Sequence, residues 1–169
     1  MKLTLSTLAL LCAATLSAQN PLTTETKTLS DGVKNNILRA AEKMPEENYS
    51  FKPSPDVRSF GQLVGHVADA QYLFCSAAKD EKKAPPGAEK SLTSKADLVA
   101  ALKEAFAYCD SAFAAMDDSK AVATTKFFGR ERPKIIVLNF NTSHNNEHYG
   151  NIVTYMRIRG LVPPSSEGR

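Results

Sequence analysis

Apolar residues recur at spacings of three and four along four separate segments of the chain, and this periodicity is typical of amphipathic α-helices. Stretches that contain proline or glycine separate the four segments, as expected between helices. Only residues 124–128 are compatible with a short strand, and no strand repeats are evident. Amphipathic helices bury their apolar faces against one another, so the sequence predicts an all-α four-helix bundle. The predicted helices span residues 24–43, 59–78, 94–116 and 134–159, with 139 as an alternative start of the last.

Single residues mark the ends and faces of these predicted helices. Ser59 and Ser94 are placed to cap the second and third helices, and Gly160 is placed to stop the last one. Gly65 lowers the local helix preference but leaves room for a neighbouring segment to approach closely. The predicted core stripe of the first helix consists of Leu29, Val33, Ile37, Ala40, Ala41 and Met44.

The connections between the helices, of about 14 to 17 residues, are longer than an up-down bundle requires, so helices adjacent in sequence can run parallel. Cys75 and Cys109 lie at similar depths, about 16 and 15 residues into the second and third helices. If those helices are parallel, the two cysteines differ in height by roughly 1.5 Å, and if antiparallel by roughly 18 Å. A Cys75–Cys109 disulfide therefore goes with a parallel crossover. The alternative is two unpaired thiols that act as small core residues.

The N-terminus has the features of a secretory signal peptide. Lys2 precedes an apolar run over residues 3–16, and Ala18 offers a small residue before a cleavage site. We therefore predict a cleaved signal peptide at residues 1–18 and one bundle domain at residues 19–169, exported to the periplasm or the extracellular space. The alternative is an uncleaved anchor. No later segment is long and apolar enough to span a bilayer, so no membrane contact is expected after cleavage.

The charge pattern excludes nucleic acid as a partner. The chain has 21 basic and 18 acidic side chains, a net charge of +3 with histidine neutral. Nucleic-acid binding requires basic residues concentrated on one face, and no block of like charge stands out in this sequence. A small molecule is the expected partner instead.

The three histidines of the chain point to a metal site. His144 and His148 are four residues apart on a predicted helix, which places both imidazoles on one face. Imidazole is a ligand for zinc, nickel, copper and iron. His66, on the second helix, is a candidate third ligand that would leave an open coordination position. Asp69 could hold a ligand or a water beside this site, and Glu147 is a weaker candidate for the same role.

A structural role is the alternative interpretation of the same residues. A histidine at the edge of a helical core is more often a hydrogen-bonded core residue than a metal ligand. The sequence contains no His-Glu-x-x-His motif, and no cysteine lies near His144. A metalloprotease or a structural zinc finger is therefore not indicated.

Two segments of the sequence resemble the DinB-like, or YfiT-like, superfamily. Residues 60–70 resemble its first ligand helix, and residues 144–152 resemble its last helix, in which two histidines four apart precede a glycine and a polar residue. Residues 49–53 and 155–164 also fit the family pattern, so the resemblance extends over residues 24–166. The order and spacing of these pieces are more specific than any one of them.

This resemblance implies a bundle with parallel second and third helices and a divalent metal, often zinc or nickel, bound by three histidines. The matching positions are His66, His144 and His148. Members of the superfamily often form dimers, so a homodimer is expected.

The resemblance also implies a metal-dependent hydrolase or transferase of unknown substrate, with Asp69 or Glu147 as candidate bases. Relatives that transfer sulfur groups use small intracellular thiols, which an exported protein would lack, so hydrolysis is the expected chemistry. A non-catalytic bundle that binds a metal or small ligand is the first alternative. A structural or interaction protein with no metal is the second, because one fold hosts many functions.

Overall fold

The computed structural model describes residues 20–168. The predicted signal peptide at residues 1–18 lies outside the described residues, and its cleavage stays a prediction. Within residues 20–168, no helix combines the length and the apolar character needed to cross a membrane.

Four long helices form the bundle, as the apolar periodicity predicted. They are α1 (Pro21–Lys43), α2 (Phe60–Ala78), α4 (Lys95–Ala114) and α6 (Lys134–Ile158). The connections contain two short helices, α3 (Ala88–Ser91) and α5 (Asp118–Ala121), and an antiparallel hairpin of β1 (Thr124–Phe127) and β2 (Arg130–Pro133). Turns of 3-10 helix cover Glu46–Asn48 and Pro164–Ser166.

Helices α2 and α4 run parallel, which confirms the predicted crossover. Gly61 lies beside Leu98 near the start of both helices. Near their ends, Cys75 and Cys109 form a disulfide with their Cα atoms 5.2 Å apart. Of the two alternatives left open by the sequence, the structure therefore has the bridge. Helix α6 runs antiparallel to α2, since Asn141 near its start contacts Cys75.

Hydrogen bonds at the helix ends match the predicted caps. The Ser59 hydroxyl accepts from the Gln62 backbone N–H at 3.1 Å, and the Gln62 side chain accepts from the Ser59 N–H at 2.9 Å. This reciprocal pair fixes where α2 begins. Ser94 caps α4 by accepting from the Asp97 N–H at 3.1 Å. Gly160 adopts a left-handed φ of 74° just after α6, a conformation that ends helices.

The predicted core stripe of α1 is correct except at Leu29, whose side chain is 65% exposed. The buried face of α1 continues from Val33 through Ser30 and Thr26 instead. Leu29 and Ser30 both fit the helical period, because they lie four and three residues before Val33 and either spacing places a residue on the same face. The prediction at Leu29 was wrong because it favoured the apolar residue over a small polar one on the true buried face.

A row of buried amides joins α2 to α6 next to the disulfide. The Asn141 amide donates to Gln71 Oε1 at 2.7 Å, and the Gln71 amide donates to Asn145 Oδ1 at 2.8 Å. All three side chains are at most 1% exposed. Buried amides need partners, so this row favours a single register of α6 on α2.

Candidate metal centre

The structure brings the three histidines together, as predicted. His66 reaches in from α2, and His144 and His148 lie one turn apart on α6. His144 Nε2 lies 3.2 Å from His66 Nε2 and 3.0 Å from His148 Nε2. One ring nitrogen from each residue lies within 4.8 Å of the others, close enough to hold one metal ion.

The partner of His66 directs its metal-binding nitrogen toward the other two rings. His66 Nδ1 lies 2.8 Å from Glu89 Oε2. A carboxylate only accepts, so Nδ1 carries the proton and the lone pair of a neutral His66 is on Nε2. Three Nε2 atoms this close repel one another unless a proton or a cation lies among them. The donor set therefore fits a transition metal, for which neutral imidazole is a suitable ligand.

Burial keeps the two α6 histidines uncharged. Burial, together with the neighbouring His66, lowers the pKa of His144 to about 4. Burial likewise lowers the pKa of His148 to about 4, helped by His144. Both rings are thus neutral at pH 7, the form in which imidazole binds metals.

Glu89 reaches His66 because α3 is fastened to α2. The Asp69 carboxylate accepts the backbone N–H groups of Gly87, Ala88 and Glu89 at 2.9, 2.9 and 3.0 Å. Gly65 lets the α3 backbone approach, since a Cβ there would lie 2.7 Å from Glu89 N and Cα. The close neighbour anticipated for Gly65 is therefore α3. The contacts of Asp69 are with the α3 backbone, whereas the sequence suggested a role beside the histidines.

Glu89 also binds Arg58 and stays ionised. Its Oε1 accepts from Arg58 Nε at 2.9 Å while Oε2 faces His66. Burial raises the pKa of Glu89, but the hydrogen bonds with Arg58 and His66 outweigh it and leave the pKa below its usual value. A negative carboxylate therefore accepts from His66 on the side away from the other two histidines, an arrangement that fixes the orientation of a ligand histidine.

A cavity of about 730 Å³ opens beside His148, which lines it, whereas His66 and His144 do not. The segment before α2, the start of α2 and the middle of α6 form its walls. His148 lines it together with the exposed Glu147, and Tyr155 lines it farther along α6. Of the two candidate bases, Glu147 thus faces the cavity.

Sequence reasoning missed Glu89 and Arg58. Glu89 is 23 residues from His66 and lies in a connection, where no helical period reports on contacts. One local signal was present: Gly87 follows two prolines and precedes a helix-compatible Ala-Glu-Lys-Ser. That signal predicts a helical turn but not its contact with α2.

Comparison with known proteins gives a consistent set of similarities. The model of the DinB superfamily matches residues 31–152. The uncharacterized protein YjoA of Bacillus subtilis is 28% identical over 126 residues, 71% of this chain and 79% of YjoA. Its crystal structure superposes with a TM-score of 0.69 at 21% identity, covering 86% of this chain and 99% of YjoA.

Two further solved structures share the fold. A DinB-like protein of Bacillus cereus has a TM-score of 0.72 at 20% identity, covering 84% of this chain and 93% of the other. A mycothiol-dependent maleylpyruvate isomerase has a TM-score of 0.63 at 16% identity, covering 77% of this chain and 60% of the isomerase. At these identities the structural likeness concerns the fold alone.

Proposed function

Since this chain belongs to the DinB superfamily, we propose that it is an exported metal-dependent enzyme in which His66, His144 and His148 hold a divalent transition metal, zinc or nickel. The proposed reaction is hydrolysis of a small molecule. The convergence of the three Nε2 atoms beside a cavity is the observation that carries this proposal. When bound, such a metal supplies Lewis acidity, which lowers the pKa of a coordinated water or polarises a substrate oxygen.

The character of the cavity favours an enzyme over a non-catalytic binding bundle. In a protein that only binds a metal, the pocket around the histidines is expected to be closed or apolar. Here the space beside His148 is open to solvent, and polar and charged side chains, Glu147 among them, line it together with apolar ones. Glu147 is the proposed proton acceptor, because it is exposed toward the same space as His148.

The choice of hydrolysis over thiol transfer rests on the proposed location. The Cys75–Cys109 disulfide suits an oxidising compartment, which supports export. An exported enzyme lacks a supply of small intracellular thiols. The thiol dependence of the isomerase with the same fold is therefore not carried over. Homodimerisation remains a prediction.

The test of the proposed site is elemental analysis of the purified protein beside a His144→Ala/His148→Ala variant. We expect close to one equivalent of zinc or nickel in the parent and almost none in the variant, with helical content by circular dichroism unchanged. A Ser143→Ala/Asn146→Ala variant, altered at two exposed positions of the same helix, should keep its metal. If the parent holds no metal even after incubation with zinc and nickel, the proposed metal site is wrong, and the three histidines are hydrogen-bonded core residues.

Glu89→Gln is expected to weaken metal binding about 10- to 100-fold, since it removes the charge behind His66 while keeping the size of the side chain. Competition with a chromophoric chelator measures the affinity, and the visible spectrum of the cobalt-loaded protein reports on the ligand geometry. Glu147→Gln is the matched control, because it removes one charge from an exposed residue of the same cavity. Equal affinities of Glu89→Gln and the parent would contradict the role given to Glu89.

A further inference from the structure

One arginine in the cavity is held in place at two points. The backbone carbonyl of Arg58 accepts from the Tyr155 hydroxyl at 2.6 Å, and its Nε donates to Glu89 Oε1 at 2.9 Å. Tyr155 belongs to α6 and Glu89 to α3, so two separate elements fix this residue. Tyr155 thus holds the backbone and Glu89 holds the side chain, so part of the side-chain entropy is lost before any ligand arrives.

The outer edge of this guanidinium has no hydrogen-bond partner. Nε is committed to Glu89, whereas the two Nη groups of Arg58 make no hydrogen bond to any residue between 20 and 168. The side chain is 42% exposed and lines the same cavity as His148. Lys52 also lines this cavity and forms no ion pair within the described range. A fixed guanidinium edge with two parallel N–H donors matches the two oxygens of a carboxylate.

We propose that Arg58 anchors a carboxylate group of the small molecule that this cavity binds. This inference rests on the proposed function, since it names the substrate class of the same site. The two Nη groups donate one hydrogen bond to each carboxylate oxygen, and Lys52 adds a second positive charge nearby.

The charges of the lining select a singly charged group over a phosphate dianion. Asp56, Glu89 and Glu147 line the cavity together with Lys52 and Arg58, so three negative charges face two positive ones. Attraction and repulsion both grow with the charge of the ligand, so the excess of negative charge in the lining costs a dianion about twice as much as a carboxylate. The ligand is therefore a monocarboxylate, or a molecule whose carboxylates lie well apart.

Glu89 ties this anion site to the histidine site. Its two oxygens contact Arg58 and His66, so one carboxylate sets the positions of both side chains. A substrate that is anchored at Arg58 is thereby oriented relative to the three histidines. Such positioning lowers the entropic part of a reaction barrier.

Titration with butyrate and with its neutral analogue butyramide, followed by NMR chemical shifts, tests the inference. We expect the parent to bind butyrate more tightly than butyramide. Arg58→Gln should bind butyrate at least about tenfold more weakly, the loss expected for a hydrogen-bonded charged group. Arg130→Gln is the matched control, because it removes the same charge at an exposed position on the hairpin. Arg58→Lys keeps the charge without the planar fork, so its affinity for butyrate should fall between those of the parent and Arg58→Gln.

Each titration is run with metal-loaded and with chelator-treated protein, beside elemental analysis. Butyrate binding that survives metal removal and is lost in Arg58→Gln supports the inference. Equal butyrate affinity in Arg58→Gln and the parent overturns it, as does butyrate binding that disappears with the metal. A parent that holds no metal but still binds butyrate through Arg58 would remove the proposed function and leave this inference standing. Should Arg58→Gln fail to fold, the comparison of the parent with Arg58→Lys carries the test.

Discussion

Removal of the Cys75–Cys109 disulfide is expected to lower the free energy of unfolding by about 4 kcal/mol, the chain-entropy value for a closed loop of this length. The two cysteines are 34 residues apart, so the bridge restricts a long segment of the unfolded chain. Domains of this size are stable by roughly 5–15 kcal/mol, so the loss is a large fraction of the whole. Chemical denaturation of a Cys75→Ala/Cys109→Ala variant measures it through the midpoint and the slope.

A reductant provides the internal control for this prediction. The parent treated with a reductant should become about as unstable as the double variant, apart from the small packing change at the two alanines. The double variant itself should not respond to the reductant. A parent whose denaturation curve is unaffected by complete reduction would contradict the stabilising role of the bridge. The metal content of the double variant should stay near that of the parent, because the group that donates a hydrogen bond to both sulfurs is Asn141, which is not one of the three histidines.

Gly65→Ala is expected to destabilise the protein by roughly 1–3 kcal/mol, the usual cost of overpacking, and to weaken metal binding in the same variant. The new Cβ would lie 2.7 Å from Glu89 N and Cα and 2.9 Å from the carbonyl carbon of Ala88. These are backbone atoms, which cannot rotate away, so α3 must move off α2. That movement separates Glu89 from His66. Denaturation and chelator competition on one preparation measure both effects.

Gly32→Ala is the matched control, with the opposite expected sign. Gly32 lies within α1, and a Cβ there would meet nothing within 4 Å. Alanine should stabilise the helix at this position by about 0.5–1 kcal/mol and leave metal affinity unchanged. If Gly65→Ala behaved in the same way as Gly32→Ala, the close approach of α3 would not be a constraint on the fold.

The features that sequence reasoning predicted correctly are those that local patterns encode. Helix α2 begins where Ser59 caps it, because the Ser59–Gln62 pair lies within four consecutive residues. His144 and His148 share a face because both are on one helix. The parallel course of α2 and α4 was implied by the family resemblance, and the comparable depths of Cys75 and Cys109 made a bridge between parallel helices possible.

The features that escaped prediction depend on contacts between connections and helices. Glu89 and Arg58 contact each other across 31 residues, and neither lies on one of the four bundle helices. The strand anticipated near residues 124–128 does exist, but its pairing with β2 was not foreseen, because the second strand carries mostly charged residues. At Leu29, the helical period allowed two faces, and the buried one carries Ser30 and Thr26 instead of the apolar Leu29.

The position of Glu89 on α3 has a consequence for how such proteins diverge and how this one can be redesigned. The three histidines lie on the long bundle helices, where substitutions of neighbouring core residues destabilise the fold. Glu89 and Arg58 lie in the segments that connect these helices, and connecting segments tolerate changes in sequence and length more readily than helices do. Grafting a different segment between α2 and α4 would therefore replace Glu89, the hydrogen-bond partner of His66, while the three-histidine set and Arg58 stay in place. The three histidines and the side chains that orient them thus lie on separate stretches of this chain.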